Sequence, residues 1–252
     1  EERGKAAFSE LRGMFALAIC DQHAEKVFLV RDRLGEKPLY YTLMEKELIF
    51  ASEMKALINA DGVKKTIDRK AVNEYFLLNY IPEPNTIFSL IKKLPIASAL
   101  TIDLKNKKTS VEKYWDPNKI QPVLSQSFAE TLREKMIEAT ELTSKANIEV
   151  GISLSGGVDS GIIATLASRK YKHKIKAFCV GYGGRPDSDE RRRARVVAEM
   201  LNLDLFETEL NDDDVVERFP TLVWESDDPV ANISGEAISA VNRLAKQHQV
   251  SV

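Results

Sequence analysis

The chain has 252 residues, 44% of them hydrophobic, which is enough for one large or two small domains with a sizeable core. Its 36 Lys and Arg against 38 Asp and Glu give a net charge of −2, which argues against nucleic acid or an anionic membrane as a partner and favours small molecules. The sequence has no apolar run of membrane-spanning length and its start lacks a signal-peptide core, so we expect a soluble, cytoplasmic protein. Two cysteines are too few for a disulfide framework or a four-cysteine zinc site.

The first half of the chain is predicted to be rich in β-structure. Short aromatic and β-branched runs predict strands over 14–21, 26–32, 38–43 and 47–52. Two helices are expected next, over about 52–59 and 68–79, with Asp68 as the N-cap of the second. Two more strand-like runs flank the polar residues 105–108 and predict a hairpin.

A polar stretch with two prolines, 116–127, predicts a linker between domains at 1–118 and 125–252. Beyond it, strand and helix patterns alternate. Strands are predicted over 148–154, 175–181 and 203–210, and helices over about 127–144, 159–169 and 189–201. This order predicts an α/β domain with right-handed βαβ units and a parallel sheet. The charged start and the strand-like residues 250–252 lead us to expect further structure at both ends.

The hexapeptide SGGVDS, residues 155–160, lies between a buried-strand pattern and an apolar helix pattern. It therefore occupies the turn at the carboxyl end of a strand, where open α/β sheets bind ligands. Gly156 and Gly157 allow the backbone to approach a ligand, and the N–H groups of the helix start favour negative charge. Ser155 and Ser160 can add hydroxyl donors. The loop is neither a Walker A motif nor a GxGxxG fingerprint.

Asp159 lies inside this anion-favouring loop and would repel a phosphate. Its presence is explained if a cation lies between the two, and Mg²⁺ commonly binds one or two carboxylates together with phosphate oxygens. The alternative is a glycine-rich turn in which the helix dipole alone favours an acidic residue. The motif resembles the SGGxDS loop of the PP-loop ATP pyrophosphatases, and this resemblance implies ATP and Mg²⁺ as cofactors and activation of a substrate oxygen as its adenylate.

The first half carries a second resemblance. The blocks RGMFALAICD, FLVRDRLGEKPLYY, ELIFASEMKALI, YIPEPNTIFSLIKKLP and KYWDP occur in order. They resemble the later part of the glutaminase domain of glutamine-hydrolysing asparagine synthetases. The resemblance implies an incomplete α+β N-terminal-nucleophile domain before the PP-loop domain, and synthesis of asparagine from ATP, aspartate and glutamine-derived ammonia; it leaves a homodimer open.

The glutaminases of that family use an N-terminal cysteine. Glu1 stands first here, and Cys20 lies in a strand-like run where we expect a buried structural thiol, as we do for Cys179. We therefore expect no glutamine hydrolysis by this chain alone.

The resemblance also assigns residues in the second half. Leu154 and Val180 match positions that hold adenine, although both could be ordinary strand residues. The segment LVWESDDPVANIS, 222–234, implies Glu225 as the acid/base residue and Asp228 as a second magnesium ligand. We expect Asp159 and Asp228, from different strand ends, to chelate one Mg²⁺. The alternative is a solvated acidic turn that caps the following helix.

The same residues are compatible with other functions. A relative with the same two domains could amidate or cyclise another carboxylate, and a GMP- or NAD-synthetase-like enzyme could share only the loop. A non-catalytic nucleotide-binding module is a further alternative. The basic run 189–195 is interpreted as a solvated helix face because acidic residues flank it at helical distances.

Overall fold

The computed structural model describes residues 3–45, 47–121, 127–144, 149–171, 174–184, 189–232 and 234–250. The chain divides into two compact units. The first comprises Glu1–Pro122 and Val223–Ala231, and the second comprises Val123–Leu222 and Asn232–Val252. The domain boundaries predicted from the linker stay predictions, and residues 122–126 of that linker lie outside the described residues.

The described residues of the first unit form two antiparallel sheets and two α-helices, besides the last turn of a third α-helix that is given below. Its elements are β1 (Ala16–Asp21), β2 (Lys26–Arg31), β3 (Tyr40–Leu43), β4 (Leu48–Ala51), α1 (Met54–Ile58), α2 (Arg69–Leu78), β5 (Lys92–Lys93), β6 (Ser98–Asp103) and β7 (Thr109–Lys113). One sheet has the order β1-β2-β6-β7 and the other the order β4-β3-β5. Leu29 and Leu100 of the larger sheet share a core cluster with Tyr41 of the smaller one.

The predicted elements of this half are confirmed. Each of the four early strands forms within its predicted range, and β6 and β7 pair as the predicted hairpin. Asp68 is the N-cap of α2, where its Oδ1 accepts a hydrogen bond from the Lys70 N–H at 2.9 Å. It also accepts from the Ala71 N–H at 3.4 Å, so this carboxylate satisfies two of the backbone donors that a helix leaves free at its first turn.

The two cysteines differ in burial. Cys179 is buried as predicted, and this burial raises the pKa of its thiol to about 11. The prediction for Cys20 is wrong, because this side chain is exposed. Cys20 lies on β1, which pairs with β2 at the edge of the larger sheet, and its neighbour Ile19 is also exposed. An aromatic and β-branched run identifies a strand but does not say whether a core covers it.

The second unit is built on a parallel sheet. Its elements are α3 (Phe128–Thr143), β8 (Gly151–Ser153), α4 (Val158–Lys170), β9 (Lys176–Tyr182), α5 (Arg191–Leu201), β10 (Asp204–Leu210), α6 (Asp212–Ser226) and α7 (Ser234–Gln247), with the end of α6 in the first unit. The strand order is β10-β9-β8, and β8 and β9 are parallel neighbours, as predicted. Ile148, the predicted start of β8, and residues 251–252 of the expected final strand lie outside the described residues.

The core of this unit is formed by small side chains between helices and sheet. Ala164 of α4 and Ala194 of α5 are fully buried in one cluster with Ile152 of β8 and Ala177 of β9. Alanines at these positions allow α4 and α5 to lie close to the strands and to each other. This close packing brings the start of α5 next to the turn that follows β8.

The described helices include none that is both long and apolar enough to cross a membrane.

Candidate active site

The SGGVDS loop lies in the predicted context, between the carboxyl end of β8 and the start of α4. Leu154 continues the pairing of β8, since its N–H donates to the carbonyl of Phe178 on β9 at 2.8 Å. Gly157 is the N-cap of α4 and has an extended backbone with no side-chain cap, and the helix starts at Val158. The first N–H groups of a helix are free to bind an anion when no side chain satisfies them.

Gly156 is required by its surroundings. Its φ of +71° lies in the left-handed region that favours glycine. A Cβ on this residue would lie 2.5 Å from the backbone N of Ala194 and from the backbone carbonyl carbon of Arg193, at the start of α5. Any side chain here would therefore strain the turn and force α5 away from it.

The serine hydroxyls of the loop hold its two ends together. The Oγ atoms of Ser155 and Ser160 are 3.0 Å apart, and the Gly157 N–H donates to the Ser155 Oγ at 3.3 Å. These contacts fix the loop before any ligand binds. A loop that is already ordered loses little conformational freedom when a ligand reaches it.

Asp159 lies in the first turn of α4 and its side chain is exposed. Within the described residues it makes no hydrogen bond and no ion pair, so its carboxylate is available to a ligand. A place in the first turn of a helix also agrees with the alternative in which the helix dipole alone favours an acidic residue. Only the interpretation of Asp159 as a metal ligand requires a cation.

The basic run at the start of α5 is paired with acidic partners. Arg191 contacts Asp189 and Glu209, both at 2.6 Å, and Arg195 contacts Glu207 at 3.0 Å. Hydrogen bonds from Arg191 lower the pKa of Asp189 to about 2. The run is a largely exposed helix face, as predicted. Its acidic partners Glu207 and Glu209, however, lie on β10 and were not among the flanking residues that the prediction invoked.

Leu154 and Val180 lie in the sheet next to the loop. Leu154 is 1% exposed and its side chain packs in the core, as expected of an ordinary strand residue. Contact of its backbone with adenine stays a prediction. Val180 is partly buried and packs against the clusters that contain Phe178 and Leu210.

The acidic segment is placed differently from the expectation. Glu225 is exposed in the last turn of α6, where it has an interaction partner. Asp228 follows this 15-residue helix, so the expectation that it lies at a strand end is wrong. The chain after β10 forms α6 before it reaches the acidic residues.

Asp227 and Asp228 are held by basic and backbone groups of the first unit. Asp228 Oδ2 lies 2.5 Å from Lys93 Nζ, while its Oδ1 is buried and has no hydrogen-bond partner among the described residues. Burial raises the pKa of Asp228, and Lys93 opposes part of this shift. Asp227 accepts hydrogen bonds from the backbone N–H groups of Met54 and Lys55.

These contacts contradict the alternative of a solvated turn that caps the next helix. The side chains of Asp227 and Asp228 are 8% and 25% exposed, and Asp227 binds the start of α1, far earlier in the chain. At the start of α7 it is Asn232 whose Oδ1 accepts from the Ser234 N–H, at 2.9 Å.

The predicted site residues thus form two groups. Residues 155–160 lie together in the second unit, and Glu225 and Asp228 belong to the first. The described residues hold no cluster of three or more His, Cys, Asp or Glu with metal-binding geometry. Sequence reasoning missed Lys55 and Lys93, because no local signal connects them with aspartates more than 130 positions away.

Comparison with known proteins covers both halves. A family model described as a glutamine amidotransferase domain matches residues 1–115, and one described as asparagine synthase matches residues 131–252. The match to the first half argues against the alternative of a GMP- or NAD-synthetase-like enzyme, which would share only the phosphate loop.

Curated relatives align along nearly the whole chain. Asparagine synthetase [glutamine-hydrolyzing] 1 of Bacillus subtilis is 30% identical over 96% of this chain and 38% of its own length. A putative asparagine synthetase of Methanocaldococcus jannaschii is 28% identical over 94% of this chain and 47% of its own length. Amidase chry2 of Gibberella zeae is 27% identical over 92% of this chain and 36% of its own length. The chain spans less than half the length of these relatives, and with both family models matched in order it belongs to the asparagine synthase family.

Proposed function

We propose that the protein is an ATP-dependent carbon–nitrogen ligase that makes asparagine from aspartate through a β-aspartyl-AMP intermediate. The observation that carries the proposal is the SGGVDS loop, which is held by its own hydrogen bonds between a parallel strand and a helix start that has no side-chain cap. Family membership supports amide formation as the reaction class.

In this reaction an oxygen of the substrate carboxylate attacks the α-phosphorus of ATP, the bond to the β-phosphate breaks, and pyrophosphate leaves. The N–H groups at the start of α4, with the Ser155 and Ser160 hydroxyls, are suited to bind the pyrophosphate part. Ammonia derived from glutamine then attacks the acyl carbon, and AMP leaves with its bonding electron pair. Glu225 is proposed to accept the proton released by the attacking nitrogen.

Asp159 and Asp228 are each proposed as a ligand of Mg²⁺. Their chemistry fits this ion, because Asp159 is exposed without a described partner and Asp228 has a buried oxygen without one. When bound, Mg²⁺ supplies positive charge that offsets the charge building up on the leaving pyrophosphate.

A second candidate is the same chemistry on a different carboxylate. The fungal relative named as an amidase is nearly as similar to this chain as the asparagine synthetases are. The loop recognises phosphates rather than the carboxylate, so it fits both acceptors equally well.

The acceptor is tested with the protein expressed over its whole natural reading frame. AMP and pyrophosphate release are measured with ATP, Mg²⁺, ammonia or glutamine, and a panel of carboxylates that includes aspartate. We expect aspartate to give the fastest release. Release with another carboxylate and none with aspartate would establish the second candidate, and no release with any carboxylate would overturn the ligase proposal.

The role of Asp159 is tested by calorimetry of ATP binding with and without Mg²⁺. Asp159→Asn keeps the shape of the side chain and removes its charge, so we expect it to weaken the magnesium dependence of binding. Asp213→Asn is the matched control, since Asp213 is an exposed aspartate in the first turn of α6. If the dipole alone explained Asp159, both variants would bind ATP with the same magnesium dependence as the parent.

A further inference from the structure

The carboxylate of Asp227 anchors the segment 223–231 to the start of α1. Asp227 Oδ2 accepts from the Met54 N–H at 2.9 Å, and Oδ1 accepts from the Lys55 N–H at 3.1 Å. The Nζ of Lys55 also contacts this Oδ1, at 3.2 Å. Because the Asp227 side chain is only 8% exposed, these charge-assisted contacts are largely shielded from water.

The carboxylate of Asp227 supplies the hydrogen-bond acceptor that the start of α1 lacks. Glu53 occupies the N-cap position of this helix but makes no side-chain hydrogen bond to it. The first N–H groups of a helix require an acceptor from elsewhere when they are buried. Asp227 provides this acceptor from a position 173 residues beyond Met54, so the start of α1 determines where the segment lies.

The anchor also holds the backbone in a conformation that non-glycine residues rarely adopt. Asp227 has a φ of +57°, in the left-handed region that aspartate tolerates better than most residues. Such a turn persists when its surroundings fix it, and it sets the direction of the residue that follows. That residue is Asp228, which contacts Lys93 through Oδ2 and has a buried Oδ1 with no described partner.

We infer that Asp227 is a positioning residue for Asp228. By holding the segment on α1, it keeps the unpaired oxygen of Asp228 in place for a hard divalent cation such as Mg²⁺. Both oxygens of Asp227 are engaged by Met54 and Lys55, so Asp227 acts through its neighbour and is not itself a ligand. The inference rests on the proposed function, because that function makes Asp228 a magnesium ligand.

The anchor is tested without any cation by hydrogen exchange at the amides of Met54 and Lys55. Asp227→Ala should raise their exchange rates by about tenfold, because both N–H groups lose their acceptor. Asp61→Ala, which alters an exposed aspartate of the same unit, should leave both rates unchanged. Unchanged rates in Asp227→Ala would overturn the anchor.

The action on Asp228 is tested by the magnesium dependence of pyrophosphate release, using the protein over its whole natural reading frame. Asp227→Ala should raise the half-saturating Mg²⁺ concentration by about tenfold, which is typical when the support of a metal ligand is removed. Asp227→Asn tolerates the left-handed backbone and keeps one acceptor oxygen, so it should fold and show a smaller increase in the same direction. An unchanged magnesium dependence in both variants would overturn the inference.

A double-mutant cycle separates positioning from general support of the fold. In an Asp228→Asn background, adding Asp227→Ala should change the magnesium dependence by less than twofold, because the ligand that it positions is already altered. Equal effects in the two backgrounds would contradict positioning. If the parent releases no pyrophosphate with any carboxylate, the proposed function fails and the positioning role fails with it, whereas the exchange result still decides the anchor.

Discussion

The phosphate loop and the segment 223–231 bring polar groups into position by different means. Residues 155–160 are contiguous, and their hydroxyl and amide groups hydrogen-bond within the loop. The segment is instead held by Lys93 and by the first amides of α1, all from a distant part of the chain. A site built from neighbouring residues can therefore be identified in a sequence, whereas one built from long-range contacts cannot.

The largest effect is expected where the loop depends on its surroundings. Gly156→Ala should lower the free energy of unfolding by about 3 kcal/mol, since it adds a left-handed alanine and an overlap with α5. Urea denaturation measures this loss. Gly184→Ala is the matched control, because Gly184 has the same φ of +71° but a Cβ there would meet no atom of the described residues within 4 Å. Equal losses in the two variants would show that the contact with α5 contributes nothing.

A second test concerns the helices on either side of the segment. Glu236 of α7 is 1% exposed and accepts hydrogen bonds from Arg218 of α6 and Arg243 of α7. Glu236→Gln should cost about 2 kcal/mol, because two partly buried guanidinium groups lose their counter-charge. Glu217→Gln, at an exposed position of α6, should change stability by less than about 0.5 kcal/mol. Thermal unfolding of both variants checks the difference, and equal midpoints would contradict it.

The third test removes the partner of Asp228. Lys93→Gln should cost about 1 to 2 kcal/mol at pH 7, because the partly buried carboxylate loses its counter-ion. Without Lys93 the pKa of Asp228 should rise further above its ordinary value. The loss should therefore be absent below the ordinary pKa of an aspartate, and should grow as the pH rises through the raised value.

Urea denaturation at pH 4 and pH 7 measures this dependence on pH. Lys92→Gln is the control, since Lys92 hydrogen-bonds the neutral side chain of Asn85. A loss that is the same at both pH values would show that the charge of Asp228 is not its source.

The smallest expected effect returns to the helix that follows the loop. Gly161 lies inside α4, and a Cβ there would meet no atom of the described residues within 4 Å. Gly161→Ala should stabilise the protein by about 0.5 to 1 kcal/mol, because alanine restricts the unfolded chain and suits a helix interior. A denaturant midpoint at or below that of the parent would show that the start of α4 needs a glycine here.

Features that depend on neighbouring residues were predictable from the sequence, and features that depend on long-range contacts were not. The strands of the first half, the βαβ order of the second and the capping role of Asp68 were all predictable. Each depends on periodicity or on chemistry within a few residues. The burial of Cys179 was predictable for a similar reason, because β9 lies inside a parallel sheet with strands on both sides.

The phosphate loop could be identified from its sequence, since six adjacent residues with the right flanking patterns define its backbone and its hydrogen bonds. Three other features depend on long-range packing: Cys20 is exposed on an edge strand, Gly156 lies against α5, and Asp227 caps α1. Burial and ion pairing depend on which distant residues fill the space around a side chain. That information lies in the packing of the whole unit, and no short stretch of the chain contains it.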